Sequence, residues 1–259
     1  MTAAETVPHI SISIVSHGQG ELVAQVLADL ARFPTPLDAE ILITLNIPEQ
    51  VTFATEEVPW AVTVVRNAAP KGFGANHNAA FRLAKGDWFC VMNPDIRLPE
   101  NPFPALLGEM VRRRPTAVIA PAVLTPAGQL EDSVRHFPAP LALAGKLLGR
   151  SDGRYPFAVG DETFAADWVA GMFMLFRAED YRAVGGFDES YFLYYEDVDI
   201  CARLWKSGCR VLACPRTHVV HDARRASRRN LRYMRWHAAS IARYLARHWL
   251  RLPPTDRAT

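Results

Sequence analysis

A chain of 259 residues, 49% of them apolar and with a formal net charge of +2, holds enough hydrophobic material for one large α/β domain or two small ones, and is ordinary for a soluble globular protein. Met1–Pro8 shows no basic stretch leading into an apolar run, so no secretory signal is expected, and no apolar run is long enough to span a bilayer. The four cysteines, Cys90, Cys201, Cys209 and Cys214, lack paired metal-ligand spacing and read as reduced thiols of a cytoplasmic protein.

His9–Val15 alternates apolar with small polar residues, as a first strand does, and Ser16–Gly20 ends it. Glu21–Phe33 places Leu22, Val26, Leu27 and Leu30 at helical spacing before Pro34 and Pro36. Ile41–Leu45 and Val62–Val65 are predicted strands, Ala75–Ala84 a helix after the Lys71–Gly74 turn, and Trp88–Met92 a fourth strand. That order predicts a mostly parallel sheet covered by helices on both faces. Ligands gather at the carboxyl ends of such strands, where this chain carries Ser16-His17, Asn46, Arg66-Asn67 and Asn93-Pro94-Asp95.

The middle of the chain is richer in proline: a helix is expected over Pro102–Arg113, a strand over Ala117–Pro121, and a loop with a short helix near Leu141–Leu148 within Gln129–Arg154. Ala166–Phe176 reads as one apolar strand whose Gly171 marks close approach by a ligand. Arg210–Ala213 and then His218–His221 close the core. No repeat or low-complexity tract interrupts it, so one catalytic domain with a helical tail is expected.

Three stretches carry chemistry. Gly185–Gly208 sets five carboxylates, Asp188, Glu189, Glu196, Asp197 and Asp199, among aromatic residues, and puts Glu196 and Asp197 where a helix begins, at the lip of a cleft, as a general base requires. An exposed acidic helix start is the plainer reading of a Glu-Asp pair taken alone. Asn93-Pro94-Asp95 delivers a carboxylate to the sheet edge, and a hard divalent cation bridging a diphosphate needs few protein ligands. His221 would complete a mixed oxygen and nitrogen site with Asp95, with His218 as competitor. Lys71-Gly72-Phe73-Gly74 before a helix, with Asn76 and Asn78 in its first turns, can offer amides and a cation to phosphates, although a plain connector has the same form.

In their order along the chain, the Asn-Pro-Asp strand end, the Trp168-Val-Ala-Gly171 segment, the Gly185-Gly-Phe-Asp-Glu-Ser-Tyr-Phe-Leu-Tyr-Tyr-Glu-Asp-Val-Asp199 run and the trailing His221 resemble family 2 glycosyltransferases of the GT-A fold. The likeness runs from about Ile10 to His221 and is greatest to the bacterial rhamnosyltransferase-type members of cell-surface polysaccharide assembly. It implies a Rossmann-like, mostly parallel sheet flanked by helices, with a nucleotide-sugar half over about 1–98, an acceptor half over about 99–222, and a tail over 223–259. It implies Asp197 as the base with Glu196 beside it, and a Mg2+ or Mn2+ cofactor on Asp95 and His221. The donor contacts implied are Ser16, Asn46, Arg66, Lys71, Gly72, Asn76, Asn78, Asn93 and Asp95. The acceptor contacts are Trp168, Gly171, Asp188 and Tyr195; Asp188 and Glu189 serve equally as turn caps, and Asp199 as a helix-end charge. The chain departs from the family pattern at Asn93, which replaces the first acid of an Asp-x-Asp motif, at Leu45 before Asn46, and at Pro70. Glu49 is the residue available for a sugar or base contact.

The expected reaction is inverting transfer of L-rhamnose from dTDP-L-rhamnose to a saccharide or polyprenyl-diphosphate-linked acceptor. A UDP-sugar donor and a non-catalytic sugar-nucleotide scaffold are the alternatives. Between Ala223 and Leu252 stand nine arginines and no acid. Leu231, Met234, Ala238, Ile241, Leu245 and Trp249 form an apolar stripe, flanked by Tyr233, Trp236 and Tyr244 and by arginines at 228, 232, 235, 243, 247 and 251. A basic amphipathic helix suits an anionic membrane surface, which would place the enzyme peripherally at the inner face of the cytoplasmic membrane. Packing of the stripe on the core, or on a second copy in a homodimer, fits equally, and no nucleic acid partner is expected.

Overall fold

The computed structural model describes residues 9–33, 38–56, 58–138, 153–222, 231–248, 251–253 and 255, and within the last helix the side chains from 234 onward. The elements are β1 His9–Ser16, α1 Gly20–Ala31, β2 Asp38–Leu45, β3 Ala61–Arg66, α2 Phe73–Phe81, β4 Trp88–Met92, β5 Ile96–Arg97, α3 Phe103–Arg112, β6 Thr116–Leu124 and β7 Val134–Arg135. There follow β8 Phe164–Ala165, β9 Trp168–Val169, β10 Phe173–Arg177, α4 Ala178–Ala183, α5 Glu196–Lys206, β11 Arg210–His221 and α6 Leu231–His248. The helix expected at Leu141–Leu148, and Met1–Pro8, Arg228 and Trp249, lie outside the described residues.

One large sheet runs in the order β3-β2-β1-β4-β10-β6-β11-β5, with β8 added against β11, while β7 and β9 pair separately. β1 is parallel to β2 and β4, and β2 to β3; β10 runs antiparallel between β4 and β6, and β11 is parallel to β6. Antiparallel pairing thus enters at the middle of the sheet through β10, and again at its far side, where β5 and β8 run antiparallel to β11.

The two-residue strand period splits the apolar residues between two cores, one on each face of the sheet. Ile10, Ile12 and Ile14, with Cys90, Met92, Ile119, Phe173 and Leu175, meet α1 and α3; Phe89, Val91, Val118, Met174 and Phe176 meet α5 and Tyr244 of α6. The small polar residues of β1 therefore face the opposite side from its isoleucines. Ser11 donates to Glu40 at 2.7 Å and Ser13 meets His77 Nδ1 of α2 at 2.8 Å. Asp29 of α1 is buried and accepts from the Leu98 amide at 3.0 Å and from Arg97 at 2.9 Å, which fixes β5 and so the loop that carries Asp95.

Two expectations are corrected. Ala166–Phe176 is not one strand: β9 pairs with β7, β10 joins the main sheet, and Ala170–Met172 turns between them. Arg210–Ala213 and His218–His221 belong to a single strand, with a register shift between Cys214 and His218 that absorbs the extra residues.

Candidate active site

The register levels the carboxyl ends of the parallel strands, because Ser16 stands opposite Leu45, Leu45 opposite Arg66, and Ile14 opposite Met92. Ser16, Asn46, Arg66-Asn67 and Asn93 thus share one edge. Asn46 Oδ1 accepts from the Lys71 amide at 2.8 Å and from Asn67 Nδ2 at 2.9 Å, and its Nδ2 donates to the Lys71 carbonyl at 3.0 Å. Asn67 also donates to Asn76 Oδ1 at 2.7 Å, and Asn76 Nδ2 donates to the carbonyls of Lys71 and Gly72. Three asparagines thus form a platform under Lys71, whose own side chain is exposed. Asn76, 1% exposed, brackets this loop from within. The Asn78 amide bonds to Phe187, Glu189 and Tyr181 and so holds the acidic segment.

The glycines of this loop have a packing reason. A Cβ on Gly72 would lie 2.6 Å from the Phe192 carbonyl oxygen, and one on Gly74 2.6 Å from Phe187 Cβ. Their absence lets Phe73 donate its amide to Phe192 at 3.0 Å. Ser16 Oγ accepts from the Gln19 amide at 3.0 Å, and Arg66 donates to the Glu49 carbonyl at 3.2 Å, while Glu49 Oε1 accepts from the Gly18 amide.

Asp95 and His221 meet because β5 pairs antiparallel with β11, Ile96 opposite His221. His221 Nε2 lies 3.2 Å from Asp95 Oδ2 and its Nδ1 3.1 Å from Glu131 Oε2. Burial disfavours the charged ring, but the Asp95 and Glu131 carboxylates outweigh it and raise the His221 pKa. His218 instead faces Glu100 at 3.3 Å. Asn93 is tied by its amide to the Met172 carbonyl at 2.9 Å. No three or more His, Cys, Asp or Glu side chains among the described residues converge on one cation position. Asp95 with His221 nevertheless fits a divalent cation: Asp95 Oδ1 is buried without a hydrogen-bond partner, and one oxygen and one imidazole nitrogen suffice when phosphate oxygens fill the remaining shell.

Across the edge, α5 opens directly on Glu196 after two residues in left-handed conformation, Tyr194 at φ 71° and Tyr195 at φ 69°. Strain of this kind persists only where the surroundings hold it. Asp197 Oδ2 accepts from the Gly171 amide at 3.0 Å and Oδ1 from the Val198 amide at 2.9 Å. Gly171 is close to Phe73 and Asp197, since a Cβ there would stand 3.0 Å from the Phe73 ring and 3.8 Å from Asp197 Cβ; the close approach expected of a ligand is made by these two side chains. Glu196 is 5% exposed and its Oε2 has no hydrogen-bond partner. Burial raises the pKa of both acids, and the Asp197 charge adds to the effect on Glu196, while the backbone amides at Asp197 offset part of its rise. The pair titrates as a unit, with the proton favoured on Glu196. Trp168 stands beside this segment, its indole donating to the His136 carbonyl at 3.0 Å.

Two of the remaining acids bind the tail helix, while Glu189 accepts from Asn78 Nδ2 at 3.0 Å. Asp199 is an acid of the first turn of α5, as expected of a helix-end charge, and is fully buried: it pairs with Arg203 at 2.7 Å, Arg247 at 3.4 Å and His248 Nε2 at 2.8 Å. Asp188 caps a turn by accepting the Ser190 amide at 2.9 Å and also pairs with Arg247. Ser240 donates to the Leu193 carbonyl at 2.9 Å, Trp236 stacks on Phe192, and His237 and Tyr244 pack on Tyr195. The docked face therefore follows Trp236, Ser240, Tyr244 and His248, partly polar and offset from the apolar stripe; Met234 of that stripe is 63% exposed. Ser240, His248 and Glu131 are site-supporting residues that composition does not reveal, and only the four-residue spacing of the helix hints at the first two.

The family model for glycosyl transferase family 2 matches residues 11–166, and a second, described as the N-terminal domain of galactosyltransferase, matches 161–226. The rhamnosyltransferase WbbL of Escherichia coli K12 is 34% identical over 186 residues, covering 68% of this chain and 70% of that protein. An N-acetylglucosaminyl-diphospho-decaprenol L-rhamnosyltransferase of Mycobacterium tuberculosis is 31% identical over 180 residues, 64% of this chain and 58% of the relative's length. Among solved structures, a mannosyltransferase of Pyrobaculum calidifontis with GDP-Man and Mn2+ superposes with TM-score 0.64 at 14% identity, over 97% of this chain and 67% of that one. GalNAc-T7 with UDP, GalNAc and Mn2+ gives 0.62 at 18% identity, over 85% of this chain and 45% of that one.

Proposed function

Because the chain belongs to glycosyl transferase family 2, we propose that it transfers L-rhamnose from dTDP-L-rhamnose, with inversion, to a saccharide or polyprenyl-diphosphate-linked acceptor in cell-surface polysaccharide synthesis. The observation that carries the reading is the Glu196-Asp197 pair at the mouth of α5, with Asp197 fixed by the Gly171 and Val198 amides and elevated in pKa by burial. Two relatives named as rhamnosyltransferases support the sugar, and the decaprenol-linked one supports the acceptor class.

Asp197 accepts the proton of the acceptor hydroxyl as that oxygen bonds to the anomeric carbon and the nucleoside diphosphate departs, a role worth about two to four orders of magnitude in rate. Glu196, protonated, leaves the pair with one negative charge and so keeps Asp197 the basic member. Lys71 on its asparagine platform faces the departing phosphates, with Ser16, Asn46, Arg66 and Gly72 shaping the nucleotide edge. Asp95 and His221 would hold a divalent cation, with Asn93 beside them; its chemistry there is neutralisation of the diphosphate charge. Trp168, Tyr195 and the Gly171 turn border the acceptor side.

We assign the outward face of α6, with Arg235, Arg243 and Met234 exposed, to an anionic lipid surface near a lipid-linked acceptor. No helix among the described residues is long and apolar enough to cross a membrane. The function is tested by release of nucleoside diphosphate from dTDP-L-rhamnose and a panel of UDP-sugars, with and without Mg2+ or Mn2+. Turnover of a UDP-sugar in preference to dTDP-L-rhamnose refutes the donor, and absence of turnover with every donor refutes the transfer.

A further inference from the structure

The hairpin after β6 brings a third charged side chain to the Asp95–His221 pair. Leu124 bridges Leu130, the turn closes through the Thr125 amide on the Gln129 carbonyl at 2.8 Å with Gly128 at φ 76°, and the Glu131 amide donates to the Val123 carbonyl at 2.8 Å. Val123 and Leu124 lie opposite Val219 and Val220 of β11. The returning chain therefore sets Glu131 against His221, Oε2 at 3.1 Å from Nδ1, while Asp95 stands at 3.2 Å from the other ring nitrogen.

A neutral imidazole carries one proton, and an acceptor at one nitrogen decides where it resides. We propose that Glu131 is a positioning residue: it holds the His221 proton on Nδ1 and so presents the Nε2 lone pair, beside Asp95, to one divalent cation. The proposal rests on reading Asp95 and His221 as the cation pair. The support for a cation is the buried, unpartnered Asp95 Oδ1; a mere ion-pair triad would leave that oxygen idle. Carboxylates that orient a ligating histidine in this way change metal affinity by about ten- to a hundredfold when removed.

The test is Mn2+ binding to the full chain, read from the free-ion electron paramagnetic resonance signal with and without dTDP and UDP, and no turnover is required. Glu131→Leu is expected to weaken binding by about ten- to a hundredfold. Glu131→Gln, whose amide oxygen accepts the same Nδ1 proton, is expected to retain most of it, and Asp95→Asn to lose it. Wild-type affinity in Glu131→Leu with loss in Asp95→Asn overturns the role of Glu131 alone. Wild-type affinity in Asp95→Asn, or no Mn2+ binding by the wild-type chain under any condition, overturns the cation pair and Glu131 with it. Nitrogen-15 imidazole spectra of the Mg2+-loaded wild-type chain need no variant: the Nδ1–H tautomer of His221 is expected, and the Nε2–H tautomer refutes the proposal.

Discussion

Asp197 and Glu196 differ by one position and by the direction each side chain takes. Two amides spend their donors on Asp197, whereas Glu196 Oε2 receives none, so burial acts with less opposition on Glu196. Asp197→Asn removes the proposed base and one of the two amide bonds to this side chain, and turnover is expected to fall about a hundredfold or more in a chain that still folds. Near-normal turnover removes Asp197 from the role. The proton inventory also sets a pH dependence. The proposed base must be ionised, and burial raises the Asp197 pKa above the ordinary carboxylate range near 4, so kcat/KM is expected to fall as pH drops through that raised value. The acidic limb of the profile is expected above the usual carboxylate range, and a limb at or below it contradicts the burial effect. At this scale the sequence was readable where a residue ends a strand or starts a helix: Asp197 stands in the first turn of α5 and His221 ends β11, whereas Asp95 lies in the turn between β4 and β5. It was unreadable where polar side chains bind inward, since nothing in the spelling of Asn76 or Asn78 says whether an amide faces a ligand or its own chain.

The strands and helices declared themselves through period, and Trp88–Met92 is found with the expected bounds. The break at Ala170–Met172 escaped because an apolar run has no period with which to mark a change of sheet. The face of α6 escaped for a different reason, since its docking side carries Ser240, Tyr244 and His248. Contacts between elements make two predictions. Gly72→Ala drives a Cβ into a backbone oxygen at 2.6 Å, and that strand of loop cannot yield as a flexible side chain would. About 1–3 kcal/mol of overpacking is expected, seen as a lower urea midpoint together with a raised donor KM; an unchanged midpoint shows that the loop has room to move. His248→Ala strips a buried hydrogen bond from Asp199, which keeps Arg203 and Arg247. A loss of about 1–3 kcal/mol in urea unfolding is expected, with kcat falling more than donor KM rises, because Asp199 lies two residues beyond the base. A variant that unfolds at the wild-type urea concentration shows that α6 is only loosely held.

For the whole molecule, acid stability follows from a ring sealed between the sheet and α2. His77 is fully buried and its pKa is pushed down to about 3 by burial. The unfolded chain, with an ordinary value near 6.5, binds the proton that the native state refuses. The stabilisation is complete above that pH and is lost below it, at up to about 1.4 kcal/mol per pH unit from this group. Urea midpoints measured from pH 7 to 4 are expected to fall, and to fall less in His77→Leu; identical slopes exclude His77 as the cause. The lipid assignment is a property of the outer surface and is checked by co-sedimentation with anionic vesicles, in which an Arg235→Glu, Arg243→Glu chain should pellet less than wild type. Equal pelleting removes the membrane from the reading. Phe192 joins these surfaces to the interior: its carbonyl receives the Phe73 amide while its ring stacks on Trp236 with centroids 4.5 Å apart. The Lys71–Gly74 loop and the tail helix therefore share one residue as a common wall, and their ordering is expected to be linked. A nucleotide that settles the loop on Phe192 should slow deuterium uptake in residues 231–248, and by reciprocity a lipid surface that captures the helix should return the same factor as tighter nucleotide binding.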